Sequence, residues 1–116
     1  MPAAQINKGS FASSVQKNDQ PVLIDFWAPW CVPCGTMSEV VDELANDVAG
    51  QATVLKANVD DFVAQAVLFG VKSLPAFVVF SNGEIKERIS GIVSKERLHE
   101  ALQPHMMNGP LEPQLG

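Results

Sequence analysis

The 116-residue chain has little of what several function classes require. It holds only two cysteines, so it is no disulfide-stapled scaffold. Its eight Lys and Arg stand against thirteen Asp and Glu, a net charge of −5 with no basic cluster. Such a chain lacks the electrostatic footprint that nucleic acid or an anionic membrane calls for. Long hydrophobic runs are missing too: stretches such as residues 74–80 fall far short of a bilayer. Residues 1–20 are polar and mixed, with no charged segment leading into an apolar one. The expectation is no secretory signal and a cytoplasmic location. No glycine-rich dinucleotide fingerprint occurs, so no bound cofactor is expected. What the chain does have is a 47% apolar and 18% charged composition, enough for one domain with a buried core.

Two apolar runs, Pro21-Val-Leu-Ile-Asp-Phe-Trp27 and Ala76-Phe-Val-Val-Phe80, are rich in β-branched and aromatic residues and read as strands buried on both faces. Residues 53–58 form a third candidate strand. Residues 84–90 alternate more and belong nearer an edge, joined to the second run by a Ser81-Asn-Gly83 turn. Residues 4–6 add a short edge strand. Between the strands, Met37, Val40, Val41, Leu44, Ala45 and Val48 recur with helical period, and Gly50 stops that helix. Residues 61–69 fit a shorter helix ending at Gly70. Ser94 caps a last helix through about Gln103, and residues 10–17 fit another. The order predicts an α/β fold, a central mixed sheet flanked by helices on both faces. Residues 1–103 form the domain. Residues 104–116, rich in Pro, Gly, Asn and Gln, read as a flexible tail.

Chemistry concentrates in Trp30-Cys-Val-Pro-Cys-Gly35, between the first buried strand and the most regular helix. Two blander readings compete. The cysteines could be inert core residues, though a Trp-flanked pair at a helix start is an odd place for them. They could be half of a zinc site, but there is no second cysteine pair, and His99 and His105 lack a zinc motif's spacing, so no metal is expected. The redox reading explains more. A helix N-terminus offers unsatisfied N–H groups and a positive dipole end, which favour a thiolate. Cys31, before the first turn, should be the exposed nucleophile. Cys34, one turn on, should be more buried and resolve the mixed disulfide. Pro33 stiffens the intervening dipeptide without costing a helical hydrogen bond.

The stretch Ile24-Asp-Phe-Trp-Ala-Pro-Trp-Cys-Val-Pro-Cys resembles the active-site segment of the thioredoxin family. The resemblance continues through residues 53–60, Gly70-Val-Lys-Ser-Leu-Pro-Ala-Phe, Phe80-Ser-Asn-Gly-Glu and Gly91-Ile-Val-Ser-Lys, and covers roughly residues 4–103. It implies a monomeric protein-disulfide reductase that cycles a Cys31–Cys34 disulfide. Its partners would be protein disulfides and an NADPH-dependent thioredoxin reductase. Asp25 matches the buried acid that passes a proton to and from the resolving thiol. A lone Asp within an apolar strand is costly unless it is used, and burial should raise its pKa. Lys56 matches a lysine whose chain end lies near that acid. Pro75 matches a cis-proline. Trp27 matches a packing tryptophan. Trp30, Val32, Leu74, Pro75 and Ile92 would rim an apolar docking patch, with Gly91 leaving room for a client backbone.

Three residues depart from the family pattern. Val32 replaces a Gly between the cysteines and adds apolar bulk. Gly35 replaces a Lys or Arg, which removes a cation beside the thiolates. Glu39 replaces a kinking Pro, which predicts a straighter helix. Two further classes fit a thioredoxin-like chain: an extracytoplasmic oxidant or isomerase, and a non-enzymatic binding or assembly subunit. The first usually carries His between the cysteines. The second needs neither the cysteines nor Asp25 and Pro75.

Overall fold

Hydrophobic alternation and turn chemistry place the elements of the computed structural model, which describes residues 2–106. In chain order these are β1 (Ala4–Gln5), α1 (Phe11–Val15), β2 (Val22–Trp27), α2 (Val32–Asp47) and β3 (Thr53–Asn58). They continue with α3 (Val63–Leu68), β4 (Ala76–Ser81), β5 (Glu84–Ser90) and α4 (Lys95–Leu102). Single 3-10 turns occupy Lys8–Ser10 and Gln103–His105. The strands form one five-stranded sheet in the order β1-β3-β2-β4-β5. β1 and β2 both run parallel to β3, whereas β4 is antiparallel to β2 and β5 antiparallel to β4. The β4–β5 reversal needs only Asn82 and Gly83, both at positive φ (54° and 79°), the backbone that matches a tight hairpin to strand twist.

The two faces of the sheet carry separate cores. On one, Val22, Ile24 and Phe26 of β2 pack with Phe11 and Val15 of α1 and with Phe62, Ala66 and Phe69 around α3. Phe69 anchors this layer, its ring 5.0 Å from Phe80 and 5.8 Å from Phe11. On the other, Leu23, Val54, Phe77 and Val79 pack beneath Met37, Val41 and Leu44 of α2 and Leu98, Ala101 and Leu102 of α4. The period of two along a strand therefore sends Asp25 to the α2 face with Leu23, alternating with Ile24, and sends Lys56 there from β3. This mixed sheet between helical layers is the architecture the sequence implies. Among the described residues no helix is long and apolar enough to cross a membrane.

Several boundaries differ from expectation for local reasons. The helix expected from residue 61 starts at Val63, because Phe62 keeps a non-helical backbone (φ −130°, ψ 45°) as its N-cap, after turn bonds from the Asp61 and Phe62 amides to the Asn58 and Val59 carbonyls. The helix expected over residues 10–17 is only α1, preceded by a 3-10 turn. Of the tail expected over residues 104–116, only residues 104–106 are described. Pro104 ends regular helix but sits within the Gln103–His105 turn, and Met106 is 7% exposed in the α2–α4 core. The rest of the expected tail, residues 107–116, lies outside the described residues.

The start of α4 is set by a side chain. Ser94 Oγ accepts a hydrogen bond from the Arg97 amide at 3.1 Å. Ser94→Ala is expected to lower stability by about 1 kcal/mol, seen as a lower urea midpoint with an unchanged slope. An unmoved midpoint would mean that water serves that amide equally well.

Candidate active site

β2 ends at Trp27 and delivers the chain through Ala28 and Pro29 to the start of α2. Cys31 is the N-cap of that helix and keeps an extended backbone (φ −101°, ψ 104°). Its sulfur accepts a hydrogen bond from the Cys34 amide at 3.3 Å, one of the donors a helix start leaves unsatisfied. Cys31 and Cys34 are joined in a disulfide, with Cα atoms 5.4 Å apart. Cys34 is 5% exposed, whereas Cys31 is half-buried at the surface. Pro33 stands within the first turn, where its missing N–H costs nothing. On reduction, the same amide and helix dipole would face a Cys31 thiolate.

Behind the disulfide lies Asp25, 2% exposed, its Oδ1 buried without a hydrogen-bond partner. Burial raises its pKa from 3.8 to about 7, against a downward pull from Lys56 and with an upward push from Asp42. Asp25, Cys31, Cys34 and Lys56 line one cleft of about 220 Å³. Lys56 is in register with Asp25 on the neighbouring strand. Its ammonium nevertheless ends on Ser38 Oγ (2.9 Å) and Asp42 Oδ1 (3.0 Å), two α2 residues that sequence reasoning did not single out. Trp27 reaches back to β1, where its indole N–H donates to Gln5 Oε1 at 3.2 Å.

A second, larger depression of about 620 Å³ opens on the other side of the disulfide. Trp30, Val32 and Leu74 of the expected docking patch line it beside Cys31 and Pro33, together with Val59, Ala66 and Val71, which sequence reasoning did not single out. Trp30 and Val32 are 68% and 83% exposed. The Trp30 indole is steadied by Asp60, whose Oδ1 accepts its N–H at 3.3 Å. The Leu74–Pro75 peptide is cis. Pro75 itself is buried, and its carbonyl accepts the Gly91 amide at 2.9 Å. That bond holds the Gly91–Ile92 turn beside the proline. Gly91 has φ +88° with open space where a side chain would be, and Ile92 is exposed. Pro75, Gly91 and Ile92 thus flank the depression without lining it. Among the described residues no cluster of three or more His, Cys, Asp and Glu is arranged to hold a metal ion.

The departures from the family pattern are visible on α2. Glu39 is exposed, and the helix runs unbroken from Val32 to Asp47. A Cβ added at Gly35 would meet nothing within 4 Å, so a lysine fits there. An exposed cation shifts a neighbouring pKa by less than a unit. Gly35→Lys is therefore expected to lower the Cys31 thiol pKa by a fraction of a unit and make the disulfide slightly more oxidising, since the thiolate form is favoured. Ultraviolet thiolate absorbance across pH checks this. An unchanged or higher pKa would show that the backbone around Val32 and Pro33, and not local charge, tunes the sulfur.

Comparison with known proteins agrees with this geometry. The family model described as Thioredoxin matches residues 2–104. Thioredoxin from Haemophilus influenzae is 41% identical over 101 residues, which span 87% of this chain and 94% of that protein. Thioredoxin 1 from Nostoc sp. is 38% identical over 104 residues, spanning 90% of this chain and 97% of the relative. The chloroplastic M-type thioredoxin of Spinacia oleracea is 38% identical over 101 residues, 87% of this chain and 56% of that longer protein. A match that runs from the first strand through the last helix, around a disulfide at the start of α2, leaves one assignment: the chain belongs to the thioredoxin family of thiol–disulfide oxidoreductases.

Proposed function

We propose that the chain works as a monomeric cytoplasmic protein-disulfide reductase in which Cys31 attacks, Cys34 resolves and Asp25 carries the proton. The Cys31 thiolate attacks one sulfur of a client disulfide. The client S–S bond breaks, a mixed disulfide forms, and the leaving client thiolate takes a proton. Asp25 accepts the Cys34 proton through the shared cleft, and the Cys34 thiolate attacks the Cys31 sulfur. The second client sulfur leaves as a thiol. The client gains two electrons, and the Cys31–Cys34 pair becomes a disulfide. An NADPH-dependent thioredoxin reductase restores the dithiol, as in the family. Lys56 moderates the charge at Asp25. Trp30, Val32, Leu74, Pro75, Gly91 and Ile92 receive an extended client segment, whose main chain bonds along the loop before Pro75.

The observation that carries this reading is the Cys31–Cys34 disulfide at the open end of α2, with the more accessible sulfur in the N-cap position. Reduction of insulin disulfides tests it, with dithiothreitol as donor in one arm and NADPH plus thioredoxin reductase in the other. Turnover in both arms is expected. Turnover with dithiothreitol alone would overturn the electron donor, and none in either arm would overturn the activity.

A further inference from the structure

Opposite charges on adjacent strands, in register on one buried face, would be expected to close on each other. Asp25 and Lys56 do not. Lys56 Nζ donates to Ser38 Oγ at 2.9 Å and pairs with Asp42 Oδ1 at 3.0 Å, while Asp25 Oδ1 has no partner. Asp42 is tied in turn: its Oδ1 accepts the Ala3 amide at 3.1 Å. Ser38 and Asp42 follow Cys34 at intervals of four along α2, so the helix that bears the resolving thiol also carries both groups over the sheet.

We propose that Ser38 and Asp42 are positioning residues that hold the Lys56 ammonium off Asp25, keeping that carboxyl open to exchange a proton with Cys34. The inference rests on the proton-carrier reading given above. An ammonium seated directly on Asp25 would occupy its lone pairs and lower its pKa by about 1–3 units, too weak a base for a thiol near neutral pH. Burial is the main cause that raises the Asp25 pKa to about 7; with Lys56 drawn to α2, its downward pull remains and Asp42 opposes it. Among the described residues the remaining surroundings add no charge. Gln5 of β1, and Ala28 and Pro29 before α2, line the cleft, and Phe77 of β4 lies in register with Asp25. The cleft of about 220 Å³ has space for water to relay the proton.

The test is the carbon-13 carboxyl titration of Asp25 in the disulfide form, where no thiol titrates beside it. It is run on the parent protein, Asp42→Asn, Lys56→Met and the double variant. Asp42→Asn is expected to lower the Asp25 midpoint by roughly one unit, because it both frees Lys56 and removes a negative charge. In the Lys56→Met background the same change should move it by less than half as much. Ser38→Ala should give a smaller shift in the same direction, and Asp42→Glu should restore most of the parent value. Ser38→Ala removes no charge and carries the test should Asp42→Asn fail to fold. An equal Asp42→Asn shift with and without Lys56 would reduce Asp42 to a direct charge effect and overturn the inference. So would midpoints that do not move. Separately, the pH profile of thiol–disulfide exchange should follow the midpoint in each variant. Exchange rates untouched by Asp25→Ala would instead overturn the proton-carrier reading, while the titration still decides whether Lys56 is held.

Discussion

Cys31→Ser is expected to reduce insulin disulfides no faster than dithiothreitol alone, whereas Cys34→Ser should stop part-way, as a covalent mixed disulfide with its client. The asymmetry follows from position. The Cys31 sulfur is at the surface, in the N-cap site that receives the Cys34 amide. A serine there keeps a cap but offers an alcohol, which is not ionised at neutral pH. Cys34 is 5% exposed, so a client sulfur is expected to reach it only through Cys31. Replacing it leaves the first attack intact and removes the second, so the intermediate accumulates. Non-reducing electrophoresis and mass spectrometry would show the adduct. Substantial turnover by Cys31→Ser, or an adduct that forms on Cys34 in that variant, would reverse the order of attack.

Asp25→Ala should make the protein slower and, above neutral pH, more stable. The folded protein holds the Asp25 proton with a pKa of about 7, against 3.8 when exposed. Between those values the native state binds the extra proton, so stability falls as pH rises through this window and levels off above about 7. The difference corresponds to a few kcal/mol, on the order of 1.4 kcal/mol per unit, less the packing lost with the side chain. Removing the carboxyl therefore gains little at pH 4 and most near pH 8. Urea unfolding of both proteins across that range measures the divergence, and stopped-flow exchange with a model disulfide measures the loss of rate. A variant destabilised at every pH, with unchanged rates, would make Asp25 a structural partner only.

The parts of the molecule that were legible in the sequence are those whose signals are local. A helical stripe of Met37, Val41, Leu44 and Val48, a capping Ser94 and an Asn-Gly hairpin each state their own structure within a few residues. Trp30 through Gly35 does the same for the redox pair. Asp25 was legible as an anomaly, a charge in an apolar run. Ser38 and Asp42 were not, because on a helix surface each is an ordinary polar residue. Only the packing of α2 across the β2–β3 pair brings them to Lys56. Val59, Ala66 and Val71 were missed at the depression beside Trp30 for the same reason: each reads as core until the fold leaves it on a wall. The late start of α3 is likewise not displayed in the sequence: it follows from the non-helical backbone that Phe62 adopts as its ring enters the core.

The borders of the sheet bear on how such a protein survives its own work. On the proposed function, the protein takes hold of stretches of client chains by their backbone. A long bare border strand would let those chains, or a second molecule, add on and keep adding. β1 is two residues long and offers almost no ladder to extend. β5, at the other border, turns Glu84 and Lys86 to solvent, folds Arg88 onto the Phe69 carbonyl and has a register shift opposite Val79 and Phe80. Neither border invites growth. On the proposed function, backbone recognition falls to the short loop ahead of Pro75, which would seat one segment at a time beside a sulfur that must let it go.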